Sequence, residues 1–311
     1  MAEVSVVFSI YGFQPDEKIE IICDSIKRQT VSCDIILAEQ SEKINPYTFD
    51  FCQKNNIKYV HSIPNIIKEN CIKFNPGRAR NACLNAVTTE YIYFSDSDIF
   101  FENINYIQSL LSYGKRHPKT ALIRPKIKRL SSKSIFNFIN DYKQGIPIGS
   151  MKTLENCYID YDPVRKIFSS TYPIERYSLI HNILHVSPEE KFVDNEYDPK
   201  YFSEFNWSVL SHFGGLFCTK TLFKSIGGYT EDYLTWGMED TDIQWKFDTY
   251  SGIQLIDNIV HDFSLIHFEH ENRCQNEDYS QNYKIFEIRK KTSFEQILKH
   301  DKENLNRSLI K

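Results

Sequence analysis

Short runs of consecutive apolar residues alternate with segments of helical spacing through the first third of the chain. The runs "VSVVFSIYG" (4–12), "CDIILAEQS" (33–41), "IKYVHSI" (57–63) and "YIYFSDSDIFF" (91–101) are rich in β-branched or aromatic residues and read as buried strands. Between them, "PDEKIEIICDSIKRQT" (15–30) opens on Pro and acids and then repeats apolar residues at helical spacing, while "GRARNACLNAVTTE" (77–90) turns a small, apolar face inward. A surface helix is expected over 103–117. This strand–helix repetition predicts an α/β fold with a mixed, mainly parallel sheet flanked by helices. Ligands of such sheets sit at the carboxyl ends of the strands, where Glu39, Asp96, Asp98 and the turn after Ser9 all fall.

The pattern fades over 131–210, which is rich in Tyr, Asn and Pro and has no clear period, and is read as an insertion covering the sheet. Order returns in "FGGLFCTKTLFKSIGGY" (213–229), a strand and a helix between two Gly-Gly turns. Next, "TDIQWKFDTY" (241–250) places Ile243, Phe247 and Tyr250 on one helical face. The expected organisation is one domain over 1–275, followed by a charged helical tail over 276–311. Within the domain, a nucleotide-binding half (about 1–115) and an acceptor half (about 211–275) flank a variable insertion (about 116–210).

Charge changes the picture little: 311 residues carry a net charge of −4, which argues against a nucleic-acid partner held by bulk electrostatics. Eight cysteines without a C-x-x-C pair exclude a thiolate zinc site and read as reduced thiols. The start "MAEVSVVFSIYGF" lacks a basic leader, and no apolar run is long enough to span a bilayer, so a cytoplasmic protein is expected. Residues 115–133 hold eight Lys/Arg and no acid. They read as a solvated face, with contact to phosphates or to the anionic inner face of the membrane as the alternative.

The candidate chemistry lies in two acidic clusters about 140 positions apart. In "FSDSDIF", strand alternation would turn Asp96 and Asp98 the same way, and two carboxylates that close need a cation, for which Mg²⁺ or Mn²⁺ is the natural choice. His267 and His270 of "LIHFEHENR" are candidate further metal ligands, and His261 is read as structural. In "LTWGMEDTDI", Glu239 and Asp240 open a helix whose N-terminus favours ionised carboxylates. Trp236 beside them offers a ring to stack on a sugar, and an acid that accepts a sugar hydroxyl can also act as its general base. Arg78, Arg80 and Asn81 start the helix leading to the D-x-D, where they could neutralise a diphosphate or hold the acids in place.

In order, "VSVVFSIYG", "GRARNACLNAVTTEYIYFSDSDIFF", "IGGYTEDYLTWGMEDTDIQWKF" and "LIHFEHEN" resemble the GT-A-fold, nucleotide-sugar-dependent glycosyltransferases. The similarity is to family 2 enzymes and to galactosyl- and N-acetylgalactosaminyltransferases with a W-G-x-E-D motif, over about 4–101 and 211–272. It implies Asp98 as the direct metal ligand, Asp96 and Ser97 nearer the nucleotide and metal shell, and His267 or His270 as the later ligand. It further implies Ser9 and Tyr11 around the nucleobase, Glu39 accepting from uracil or ribose, and Arg80 on the donor side. Trp236 and Glu239 match the acceptor-binding positions and Asp240 the base. Two departures stand out: "AEQS" replaces the common "DDGS", and "TWGMED" replaces "WGWGGED". The resemblance implies an inverting transferase that uses a UDP-sugar and a divalent cation to modify a glycan or lipid-linked glycan, in keeping with bacterial surface polysaccharide biosynthesis. The alternatives are a retaining enzyme on the same fold, a metal-dependent phosphohydrolase and a non-catalytic sugar-binding module.

Overall fold

The computed structural model describes residues 2–11, 15–64, 67–68, 71–72, 74–123, 125, 127–130, 132–162, 167–173, 177–180, 183–186, 214–233, 235–257, 265–268 and 277–310. The first half comprises β1 (Val4–Tyr11), α1 (Glu17–Lys27), β2 (Cys33–Gln40), α2 (Pro46–Lys54), β3 (Lys58–Ser62), the short pair β4 (Ile67–Lys68) and β5 (Cys71–Ile72), α3 (Pro76–Ala82), β6 (Tyr91–Phe94), β7 (Ile99–Phe101) and α4 (Tyr106–Arg116). Then come β8 (Thr120–Ile123), β9 (Ile127–Leu130), α5 (Ser132–Lys143), β10 (Cys157–Asp162), β11 (Ile167–Pro173), β12 (Tyr177–Ile180) and β13 (Ile183–Val186). The last part holds β14 (Leu216–Thr219), α6 (Lys220–Ser225), α7 (Glu239–Thr249), β15 (Gln254–Asp257), β16 (Leu265–Phe268), α8 (Glu277–Lys291) and α9 (Phe294–Ile310).

Among the described residues, a seven-stranded sheet runs in the order β15-β8-β14-β6-β1-β2-β3. It is parallel except at β14, which runs antiparallel to both β6 and β8. This is the mixed, mainly parallel α/β sheet that the strand–helix alternation predicts. Local signals set its helices. Asp16 accepts from the backbone N–H groups of Lys18 and Ile19 to start α1, and Asn75 accepts from that of Arg78 to start α3 behind Pro76. One face of the sheet is covered around Ile22, Leu37 and Phe217, the other around Ile36, Phe94 and Phe223.

A second sheet, β11-β10-β9-β16-β7, was not foreseen in the sequence, and it divides the run 91–101. β6 belongs to the main sheet and β7 to the second, so residues 95–98 cross between them as a turn. Strand alternation therefore does not govern Asp96 and Asp98. The stretch expected as an insertion from about 116 also supplies β8 to the main sheet and β9 to the second, because Ala121, Leu122, Ile123 and Leu130 are buried in the two cores.

α8 and α9 form the C-terminal end of the described chain and pack into the protein. Leu305 joins the core beside Phe223. Under it lies a buried ionic cluster: Lys246 donates to Asp301 (2.7 Å) and to the carbonyl of Gly228 (2.5 Å), and Arg289 donates to Asp242 and to Asp301, each at 2.7 Å. Burial pushes the Asp242 carboxyl above its ordinary value in spite of these cations. At Asp301 burial acts in the same sense, but Lys246 and Arg289 outweigh it and hold the carboxyl below its ordinary value. No helix among the described residues is long and apolar enough to cross a membrane.

Cys23, Cys33, Cys52, Cys83 and Cys218 are free thiols. Burial pushes Cys23, Cys33 and Cys52 up to about 12, and Cys83 and Cys218 are raised for the same reason. Since the thiolate is the reactive form, these five should react with a disulfide reagent at pH 8 only on unfolding. Titration with and without denaturant checks this, and fast native reaction of more than three of the eight thiols would contradict it.

Candidate active site

The turn after β6 and the start of α7 meet at Arg80. Its side chain is buried, with the guanidinium over the Tyr229 ring at 5.1 Å. Nη2 donates to Asp96 and Nη1 donates to Asp240 at 2.8 Å. Burial alone would lower the Arg80 pKa, but Asp240, Tyr229, Asp96 and Glu239 raise it well above the ordinary value, so the group is a fixed cation. Arg80 thus holds both acids. It also joins the two acidic clusters, which are distant in sequence. Asn81, the next residue of α3, exchanges hydrogen bonds with the backbone N–H and C=O of Tyr229 (both 2.9 Å) and so ties this helix to the loop before α7. Arg78 pairs with Glu231 at 3.6 Å.

Asp96, Ser97 and Asp98 form the turn between β6 and β7 and are partly exposed. Gly214 lies against Asp96, and a Cβ there would overlap the Asp96 carboxylate. Gly214→Ala should therefore push Asp96 away from Arg80 and cost about 1–3 kcal/mol through overpacking. Chemical denaturation checks it, and an unchanged midpoint would contradict the close approach.

Asp98 meets His267. β16 runs antiparallel to β7, which places His267 opposite Ile99, and His267 Nε2 lies 3.5 Å from Asp98 Oδ2. The backbone N–H of Phe268 donates to the carbonyl of Asp98 at 2.9 Å, fixing this part of the turn against β16. His267 belongs to a strand, and not to the helical turn or bent loop considered for the His267–His270 pair. His270 and His261 lie outside the described residues. On the other side of His267, Arg129 of β9 approaches Nδ1 at 3.4 Å, the two residues being register partners in neighbouring strands. Arg129 is a site residue that the sequence hid inside the basic run 115–133. Others of that run have partners elsewhere: Lys115 pairs with Glu3 and Lys128 with Glu102, both at 2.5 Å.

At the end of β2, Glu39 is fully buried, and its carboxylate accepts from the hydroxyls of Ser41 and Tyr59, each at 2.7 Å, and from the backbone N–H of Asn45 at 3.3 Å. Three internal donors thus brace Glu39 at the end of β2. Ser9 is buried near the end of β1, and the ring of Tyr11 lies 5.7 Å from that of Phe74.

Trp236 is half-buried in the loop before α7. Gly237 at φ +109° and Met238 at φ +74° both lie in the left-handed region, which turns the chain sharply into the helix. Glu239 is buried and accepts from the N–H of Gly237 at 2.7 Å. It therefore braces its own loop. Burial raises the Glu239 carboxyl above its ordinary value, although Arg80 and the backbone donors oppose this. Asp240 is more exposed and points to Arg80. Asp242, two residues on, is buried against the tail.

Residues 201–264 match the family model Glyco_transf_7C, described as the N-terminal domain of galactosyltransferase. This segment contains the W-G-M-E-D loop and the whole of α7. Among solved structures, GalNAc-T7 with UDP, GalNAc and Mn²⁺ superposes with a TM-score of 0.50 at 12% identity, covering 92% of this chain and 47% of that one. The fold is GT-A. S. aureus TarS gives a TM-score of 0.48 at 12% identity over 93% of this chain and 39% of that one. The catalytic domain of Drosophila β1,4-galactosyltransferase 7 with xylobiose gives 0.40 at 13% identity over 89% and 74%. The chain spans less than half the length of the GalNAc-T7 and TarS chains. No curated protein matches the sequence. The GT-A fold is the one the sequence resemblance implies, and residues 201–264 are similar to a galactosyltransferase domain.

Proposed function

We propose that the protein transfers a sugar from a UDP-sugar to a hydroxyl of a glycan or lipid-linked glycan, with inversion and with Mn²⁺ or Mg²⁺, in bacterial surface polysaccharide synthesis. The observation that carries this reading is the single buried Arg80 paired with both Asp96 and Asp240. It brings the D-x-D and the W-G-M-E-D motif into one site, as transfer from a donor to an acceptor requires. The choice of UDP and the bacterial setting rest on the sequence resemblance.

The donor set fits a hard or borderline divalent cation, because an Asp98 oxygen and the His267 Nε2 converge at 3.5 Å, longer than a good hydrogen bond. Asp98 and His267 would hold the ion, with Asp96 beside them and His270 as the alternative histidine. Bound there, it would supply Lewis-acid neutralisation of the departing diphosphate. Arg129 adds a fixed positive charge on the same side. Ser9, Tyr11 and Ser97 would line the nucleotide, with Glu39 bracing the end of β2 behind them. The acceptor ring would stack on Trp236. Asp240, ionised beside Arg80, would take the proton of the attacking hydroxyl as the new bond forms at the anomeric carbon, opposite the bond that breaks. The basic residues near 115–133 suit an anionic or phosphate-linked acceptor, with peripheral contact at the cytoplasmic face of a membrane.

Isothermal titration with UDP, with and without Mn²⁺, tests the reading. Binding that appears only with the metal, and that EDTA removes, is expected; an absence of heat in both conditions would refute it. A panel of UDP-sugars scored by UDP release then names the donor.

A further inference from the structure

α8 lies outside the segments that carry the sequence resemblance, yet it grips the loop that presents Trp236. Asn282 is fully buried, and its side-chain nitrogen donates to the carbonyls of Thr235 (3.0 Å), Trp236 (3.4 Å) and Gly237 (3.0 Å). Three carbonyls can face only the –NH₂ end of the amide, so they fix its orientation. Ile285, Phe286 and Arg289 follow Asn282 at the third, fourth and seventh positions and thus share its face of the helix. Phe286 packs with Tyr233 and Met238 at the two ends of the loop. Arg289 donates to both oxygens of Asp242 (2.7 and 3.3 Å) in the first turn of α7.

The loop needs such support. Gly237 and Met238 both take left-handed backbone conformations, and for Met that conformation persists only where surrounding structure imposes it. An asparagine on a buried helix face is costly unless its polar atoms are partnered, and here its partners are the loop carbonyls themselves.

We infer that Asn282 is a positioning residue for the acceptor. By holding the carbonyls of 235–237 it sets the Trp236 ring and the entry into α7, where Asp240 stands, which makes the C-terminal helix α8 part of the acceptor site. The inference rests on the glycosyltransferase reading. Asp98 and His267 are set by β7 and β16, and only Asp96 is tied to α7 through Arg80, so the effect of Asn282 should fall chiefly on the acceptor side.

The test uses the full chain, Asn282→Ala and the isosteric Asn282→Asp, which keeps the shape and loses the donors. Turnover is measured with p-nitrophenyl glycosides as acceptor probes, UDP affinity by titration with Mn²⁺, and amide hydrogen exchange at 237–239. The expected result is a fall in kcat/KM for the acceptor of up to about 10²-fold, with UDP affinity unchanged and exchange at 237–239 faster. A parallel loss of UDP affinity, or unchanged acceptor kinetics, would make Asn282 merely structural and overturn the proposal. If the wild type binds UDP with Mn²⁺ but uses none of the probes, exchange decides: acceleration confined to 237–239 supports the proposal, and unchanged exchange overturns it. Failure of the wild type to bind UDP at all would strike the glycosyltransferase reading instead, which keeps the two failures distinct.

Discussion

Asp240→Asn is expected to lower sugar transfer by about 10²–10⁴-fold, the usual contribution of a positioned general base, while leaving metal-dependent UDP binding nearly intact. The geometry explains the split. Asp240 is the less buried member of the Glu239–Asp240 pair and is held by Arg80 at 2.8 Å, whereas Glu239 is buried against its own loop. Asparagine keeps the shape and can still accept from Arg80 through its carbonyl oxygen, so the fold should survive. What it loses is the capacity to accept a proton. UDP release measured beside calorimetric titration separates the steps. Loss of both activities would move Asp240 from the acceptor side to the donor side and end its assignment as base.

Arg80→Leu should produce the largest loss of stability, about 3–5 kcal/mol, the usual cost of stripping a buried ion pair of one partner. Asp96, Asp240 and Glu239 would then face one another without the cation that offsets their repulsion. Transfer and UDP binding should both fall, because Asp96 belongs to the donor side and Asp240 to the acceptor side. Arg80→Lys is expected to recover most of the stability but little of the transfer, since one ammonium cannot reproduce a planar fork that donates to two carboxylates at once. Denaturation midpoints and transfer rates across the pair check this. A stable, active Arg80→Leu protein would refute the assigned role of the bridge.

Much of the fold was legible because its signals are local. Asp16 and Asn75 cap their helices through neighbours two and three residues away, and the unbroken burial of Val4–Ile10 follows from a run of apolar residues in a central strand. The two acidic clusters were legible as chemistry for a related reason: carboxylates set among aromatic and apolar residues need partners, wherever those lie. Elsewhere, long-range pairing overrides local pattern. The run 91–101 looks like one strand, yet the second sheet recruits β7 to β16 and makes the D-x-D a turn between two sheets. Arg129 looked like one of eight basic surface residues until the β9–β16 register set it beside His267. Asn282 and Arg289 read as ordinary polar residues of a charged tail, because a buried polar helix face weakens the periodicity that marks an amphipathic helix.

The sequence by itself determined the α/β alternation, the order of the motifs and the residue types able to hold a cation and move a proton. These depend on backbone propensity, apolar spacing and side-chain chemistry, which act over a few residues. Only the tertiary structure decided which polar groups meet: Asp96 with Asp240 through Arg80, Asp98 with His267, Asp242 with Arg289, and Glu39 with Tyr59. Pairing of this kind depends on register between strands and on desolvation at buried positions, quantities that no single segment of the chain contains.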